Sequence, residues 1–379
     1  MSMIYLDYNA TTPIDKSVAD AMLPYIQGNY GNPSSSHDYG IAAQKAVESA
    51  REQVASLLNA NPKEIVFTSG GSESNNMVIK GVAYSFRERG NHIITSQIEH
   101  PAVLNPCKFL EKNGYEVTYL PVDGFGTVNP EDLAKAITSR TILVTIMHAN
   151  NETGTIQPIS AISRICRKKG VLFHTDAAQT VGKIPTRIDD LGVDFLSVAG
   201  HKLYAPKGVG ALYIRDGIQI EPLIHGAGHE NGRRAGTENV IFNVGLGRAC
   251  EIASDWITDN TIREHRDKFY KALQSLFGNR IRLNGHPKNR LPNTLYISFL
   301  GFETSEVMKA LGRVAVSTSS ACHSGSTSLS PVLRAMGISD SELAATIRFS
   351  LGRYTTDNEL EIVLKNLSTL VEKSIDHTI

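Results

Sequence analysis

Six short segments carry residue types that could do chemistry. The first is 197–210, SVAGHKLYAPKGVG, where Lys202 follows an apolar strand-like run and sits among small residues beside His201. A lysine is ordinarily a solvated surface residue. At the end of a buried strand it is partly desolvated, its pKa falls, and its amine becomes a nucleophile toward an aldehyde. The second is 171–183, VLFHTDAAQTVGK, with Asp176 just past another apolar run. Such an aspartate can N-cap the next helix, or it can face a cationic ring nitrogen. Asp176 and Lys202 are 26 residues apart, about one helix and one strand. Neighbouring strands would put both at one sheet edge, which is where open α/β sheets bind ligands.

The third segment, 68–75 (TSGGSESN), reads as strand, tight turn and helix start. A helix N-terminus offers unpaired N–H groups and a positive dipole end, and so suits a phosphate; a plain tight turn fits the same residues. No G-K-[ST] follows the turn, and no stretch of the chain fits G-x-G-x-x-G. In the fourth, 98–103 (IEHPAV), His100 follows the apolar run 92–96. A lone histidine is most often structural, but one at a strand end can stack on a ring or move protons. The fifth, 314–325 (VAVSTSSACHSG), places Cys322 among small polar residues. That setting predicts an exposed thiol, a nucleophile once something lowers its pKa or takes its proton. Cys107, Cys166 and Cys250 lie in helical patterns and read as bystanders. In the sixth, 347–353 (IRFSLGR), Arg348 either forms an internal ion pair or clamps a carboxylate. Lysine, ring-facing acid, phosphate cradle and stacking histidine together point to pyridoxal phosphate, which needs a Schiff-base lysine and a protonated pyridine nitrogen.

These segments need a scaffold that ends its strands side by side. The runs 65–68, 92–96, 117–122, 142–148, 171–174, 195–198 and 211–214 read as strands, several apolar on both faces, which suits a buried, largely parallel sheet. Helical periodicity marks 41–58, 72–89 and 158–169, with Gly90, Gly114 and Gly170 where helices should stop. The alternation predicts an α/β fold with helices on both faces. The run 225–239, HGAGHENGRRAGTEN, breaks the pattern and is not expected to be a regular helix. Beyond it, 240–255, 262–277, 305–311 and 358–373 read as helices, and 294–299 and 314–318 as strands. The expected organisation is a large cofactor-binding domain, 13–256, and a smaller α+β domain, 257–379, which segment 1–12 joins.

Composition sets the outer limits. The chain has 379 residues, with 38 Lys+Arg against 38 Asp+Glu, so there is no overall field for nucleic acid or an acidic membrane. No apolar run approaches the ~18 residues of a membrane span. The opening MSMIYLDYNATT has no signal-peptide character, and four scattered cysteines are too few for a disulfide framework. A cytoplasmic protein is expected. No metal site is expected either: His225 and His229 are four apart, but glycines between them make a ligand-presenting helix improbable.

The chain resembles the cysteine desulfurases of the NifS/IscS type, within fold-type I pyridoxal-phosphate enzymes. The motifs are YLDYNATT (5–12), GNPSSSH (31–37), TSGGSESNN, EHPAV, HANNETG (148–154), HTDAAQ, GHK, NGRRAGTEN (231–239), SSACHSG and IRFSLGR, spread over essentially the whole chain. The resemblance implies that Lys202 bonds the cofactor aldehyde, His100 stacks on the ring, Asp176 pairs with its nitrogen and Gln179 bonds its hydroxyl. It implies that Gly71, Ser72 and His201 hold the phosphate. Thr237 would reach the phosphate bound by a partner subunit, which requires a homodimer. Asn151 and Arg348 would hold the substrate carboxylate, with Asn32 nearby. Cys322 would take sulfur from L-cysteine as a persulfide and pass it to an acceptor protein, for iron–sulfur clusters or other thiolated products. Two positions depart from the pattern: Ala199 stands where relatives often carry a hydroxyl, and His323 adjoins the cysteine, as in selenocysteine lyases and desulfurases that serve DNA phosphorothioation. Those two activities are the alternatives.

Overall fold

The computed structural model describes residues 3–318, 330–339 and 345–376. In chain order its elements are β1 (Ile4–Tyr5), α1 (Lys16–Gln27), α2 (Asp38–Leu58), β2 (Ile65–Thr68), α3 (Gly71–Ser85), β3 (His92–Ser96), α4 (Pro101–Glu111) and β4 (Glu116–Leu120). Next come α5 (Pro130–Ala136), β5 (Thr141–Thr145), α6 (Ile159–Lys169), β6 (Leu172–Asp176), α7 (Ile188–Leu191), β7 (Phe195–Ala199), β8 (Gly210–Ile214), α8 (Val240–Ile257) and α9 (Thr261–Phe277). The rest are β9 (Ile281–Leu283), β10 (Thr294–Phe299), α10 (Thr304–Leu311), β11 (Val314–Ala315), β12 (Ser317–Thr318), α11 (Pro331–Ala335), β13 (Thr346–Ser350) and a C-terminal helix, Asp357–Asp376.

Seven strands form one sheet in the order β2-β8-β7-β6-β5-β3-β4. Strand β8 runs antiparallel to both neighbours, and every other pairing is parallel. Strands β2, β3, β5, β7 and β8 are buried along their whole length, because helices cover both faces; that is why they lack a polar alternation. Two strips of core lie on opposite sides of the sheet. One holds Val47, Val54, Phe173, Leu196 and Leu246 beneath α2 and α8, and the other holds Met77, Val82, Val103 and Leu212 beneath α3 and α4.

A four-stranded antiparallel sheet, β12-β13-β10-β9, carries a separate core of Phe269, Leu295, Phe349 and Val363. Ile4 and Leu6 from the first residues of the chain belong to this second core, and β1 pairs in parallel with β11. The change of core along the chain falls between α8, whose Ala253 belongs to the first, and α9, whose Phe269 belongs to the second.

Some expected boundaries differ. The expected strand 142–148 ends at Thr145, although His148 still donates its N–H to the Asp176 carbonyl and so continues the edge as a turn. The helix expected over 72–89 spans Gly71–Ser85, because the chain turns where Arg89 and Gly90 both donate to the Phe86 carbonyl. Gly170 caps α6 at φ 67°, a left-handed conformation that only glycine adopts cheaply. The glycine-rich run 225–239 holds one short 3-10 turn, Glu230–Gly232. Among the described residues no helix is long and apolar enough to cross a membrane.

Candidate active site

The parallel strands deliver their C-terminal ends to one edge. Because β8 is antiparallel to both β2 and β7, β2 points the same way as β7 and ends there too. Strand β6 stops at Asp176, and β7 runs into a 3-10 turn, Gly200–Lys202; the two are neighbours, with Asp176 level with Ser197. Strand β2 leads into the N-terminus of α3 at Gly71, and β3 leads to His100, the N-cap of α4. These ends and the small sheet enclose a cavity of about 820 Å³.

Of the residues singled out from the sequence, the cavity wall gathers Gly71, Ser72, His100, Asn151, Asp176, Gln179, His201, Lys202 and Arg348. Asn32 and Thr237 are not brought into it: both are exposed, and the Asn32 side chain accepts the Ser34 N–H in a local turn. Cys322, with its neighbour His323, lies outside the described residues. Cys107, Cys166 and Cys250 are buried, and burial pushes each thiol up to about 12, so they stay protonated and inert.

Lys202 Nζ donates to the carbonyl oxygens of Asn9 at 2.5 Å and Ala10 at 2.7 Å. Burial lowers its pKa to about 8; the Arg348 charge pushes the same way, while Asp7 and Asp176 oppose it. The amine is therefore available as a nucleophile near neutral pH. The cofactor-free protein is expected to take up pyridoxal phosphate at a rate that rises through pH 8 and levels off above it. An ordinary lysine, with a pKa of about 10.4, would still gain about sevenfold between about pH 9 and 10. Uptake rates across that range check this, and a continued climb would contradict it.

The Asp176 carboxylate is held by two donors, Asn75 Nδ2 to Oδ2 at 2.7 Å and the Ala178 N–H to Oδ1 at 2.9 Å. The His100 ring accepts the Ala102 N–H at Nδ1, which sets its tautomer with the proton on Nε2. Burial lowers its pKa; Asp176 opposes this and Lys202 adds to it. His201 is pushed down to about 4, first by burial and then by Lys202, so its ring is neutral. Gln179 donates Nε2–H to the Asn9 carbonyl and accepts Lys183 Nζ at Oε1, which fixes which way its amide faces. Burial drives Lys183 well below its ordinary value.

Sequence reasoning did not single out Asp7, Asn9, Asn75 or Glu152, all of which line the cavity. Asn9 is 1% exposed and touches both sheets, through Lys202 and Gln179 on one side and Ser350, Thr294 and Asn293 on the other. Glu152 accepts the hydroxyls of Ser330 at 2.5 Å and Tyr296 at 3.2 Å, and burial raises its pKa. All four lie inside quoted motifs. Their signal was a polar residue within a small-residue run at a strand end, and that signal ranks none above its neighbours.

This chemistry fits pyridoxal phosphate. The wall provides an amine whose pKa is lowered to about 8, an oriented carboxylate, a helix N-terminus at Gly71 and Ser72, and a neutral imidazole. Asn75 Oδ1, buried on the same wall, has no partner among the described residues and can accept from a bound group. No cluster of three or more His, Cys, Asp or Glu side chains that could hold a metal occurs among the described residues.

Comparison with known proteins gives a concordant picture. The family model described as aminotransferase class-V matches residues 4–363. The cysteine desulfurase IscS of Dictyoglomus turgidum is 50% identical over 374 residues, covering 98% of this chain and 95% of that protein. Among solved structures, a NifS-like protein superposes with a TM-score of 0.91 at 41% identity, covering 98% of this chain and 99% of its own. A structure described as SspA in complex with cysteine gives a TM-score of 0.84 at 40% identity, covering 93% and 100%.

Proposed function

The chain belongs to the class-V aminotransferase family and is a pyridoxal-phosphate-dependent cysteine desulfurase, and from that premise we propose how its residues divide the work. Bound in the cavity, pyridoxal phosphate supplies an electron-withdrawing ring that stabilises negative charge at the substrate Cα. Lys202 anchors its aldehyde, Asp176 holds its pyridine nitrogen protonated, and His100 lies against the ring. Gln179 bonds the ring hydroxyl, and Gly71, Ser72 and His201 receive the phosphate at the start of α3.

Arg348 and Asn151 hold the α-carboxylate of L-cysteine, with Asn32 contributing nearby. Lys202 then takes the Cα proton, a role its depressed pKa suits. The Cys322 thiolate forms a bond to the substrate sulfur as the Cβ–S bond breaks. The electron pair of that bond stays with Cβ, which takes a proton; the proton removed from Cα is then returned there by Lys202, and the product leaves as alanine. Sulfur remains on Cys322 as a persulfide and passes to an acceptor protein. The partners are thus L-cysteine, a sulfur acceptor and a second copy of the chain, whose phosphate site Thr237 would complete; its exposure away from its own cavity supports this. We place the enzyme in the cytoplasm and divide it into 13–256 and 257–379, with 1–12 joined to the latter because Ile4 and Leu6 pack in the second core.

The observation that carries this reading is Lys202 and Asp176 on adjacent strand ends in one cavity. The test is alanine formation from L-cysteine by the purified protein with a reducing thiol present. Alanine with matched sulfide is expected; a bound chromophore without alanine would mean a different substrate. Ala199 bears on cofactor retention. It is 4% exposed, lines the cavity, and lies 3.4 Å from where a Cβ on Gly71 would sit. A hydroxyl there would reach the turn proposed to hold the phosphate. Ala199→Ser is expected to bind the cofactor about threefold to tenfold more tightly, the size of one added hydrogen bond. Equal dissociation constants by equilibrium dialysis would refute it.

A further inference from the structure

Arg348 is already partly occupied. It lies on β13, level with Ser317 of β12 and Tyr296 of β10, and is 8% exposed. One Nη1 hydrogen goes to the Asn151 carbonyl at 2.8 Å. Nη2 serves two acceptors, Asp7 Oδ1 and Ser317 Oγ, each at 2.8 Å. Ser317 in turn donates to Asp7 Oδ1 at 2.8 Å, closing a three-membered ring of contacts, and Nε is buried without a partner. A guanidinium grips a carboxylate best through two parallel N–H groups. Here both Nη2 hydrogens are in use, so an arriving carboxylate cannot take the Nη1–Nη2 fork while Asp7 and Ser317 keep theirs.

We propose that Asp7 is a positioning residue that sets carboxylate affinity: it is a resident anion on Arg348 against which the α-carboxylates of substrate and product must compete. The Asp7 backbone bridges to Ser350 on the strand that carries Arg348, so its carboxylate cannot drift away from the fork. The arriving carboxylate meets a pair with little net charge rather than a bare cation. L-Alanine bears the same carboxylate as L-cysteine, so a resident anion also eases product departure. Asp7 further offsets the effect of Arg348 on Lys202, which a bare guanidinium would depress more strongly.

This inference rests on the reading that Arg348 receives the α-carboxylate, and the test separates the two. L-Alanine and L-alaninamide, which lacks the carboxylate, are titrated into the holoenzyme by calorimetry. In Asp7→Asn the neutral amide oxygen can keep the contacts to Arg348 and Ser317 while the negative charge is lost. It is expected to bind alanine about tenfold more tightly, the size by which a hydrogen bond to a charged acceptor exceeds one to a neutral acceptor, with alaninamide unchanged. Unchanged or weaker alanine binding would overturn the proposal. If the unaltered enzyme shows no preference for alanine over alaninamide, the assignment of Arg348 itself fails. Ser317→Ala gives an independent measure should Asp7→Asn fold poorly. It frees one Nη2 hydrogen without removing a charge, so about threefold tighter alanine binding is expected, and weaker binding counts against the proposal.

Discussion

Replacing Lys202 with alanine is expected to cut alanine formation from L-cysteine by about 10⁴-fold, near the upper range for losing a positioned proton-transfer group. The size follows from having no stand-in. Lys183 is a half-buried lysine nearby, but its Nζ is committed to Gln179 at 2.9 Å and Asn9 at 3.3 Å, and it is not on the cavity wall. His100 Nδ1 is engaged by the Ala102 N–H. The fold should survive, because the Asn9 and Ala10 carbonyls that Lys202 contacts face a cavity that water can enter. Borohydride reduction followed by mass spectrometry is the matching readout. The unaltered protein should retain cofactor mass on the peptide containing Lys202, and the variant should retain it nowhere. Residual turnover above about one part in a hundred would remove Lys202 from the proton-transfer role.

Asp176→Asn is expected to cost about 10³-fold in kcat with little change in thermal midpoint, the range found when one preorganised electrostatic partner is removed. The structure explains why stability should hold. The substitution is isosteric, its carbonyl oxygen can still accept one of the two existing donors, and its amide can donate to the otherwise unpartnered Asn75 Oδ1. What would be lost is the negative charge proposed to face the ring nitrogen, and with it the protonated state that would make the ring an electron sink. Asp176→Glu should recover part of the loss. A kcat within tenfold of the unaltered enzyme would show that the carboxylate does not govern that proton.

The sheet and most of its edge residues were legible in the sequence for a definite reason. Fully buried strands must be apolar on both faces, so IVFT, HIITS and FLSV announced themselves, and each ended where polarity resumed. Lys202, Asp176 and His100 stood out because each is an ionisable group within a few residues of the end of such a run. Asp7 and Asn9 did not, because their importance comes from contacts more than 280 residues away in sequence, such as Asn9 Nδ2 to Thr294 Oγ1. Helix α1 went unrecognised because Pro24 interrupts its pattern, although Asp15 caps it by accepting the Ser17 N–H. Asn32 and Thr237 were expected at the site from resemblance alone, and among the described residues of a single chain neither lines the cavity.

The stitching of the first residues to the last has a consequence for biosynthesis. A chain emerging from the ribosome presents its N-terminus first, and domains fold in that order where they can. Here they cannot: Ile4 and Leu6 await Phe349 and Val363, and β1 awaits β11, before they have anywhere to pack. Asn9 and Ala10 hold the Lys202 amine, so the wall around that amine is incomplete until synthesis is nearly over. The large sheet can form early, but cofactor capture becomes one of the last events in making the enzyme. A nascent chain stalled short of β13 should thus carry a folded sheet and no bound pyridoxal phosphate.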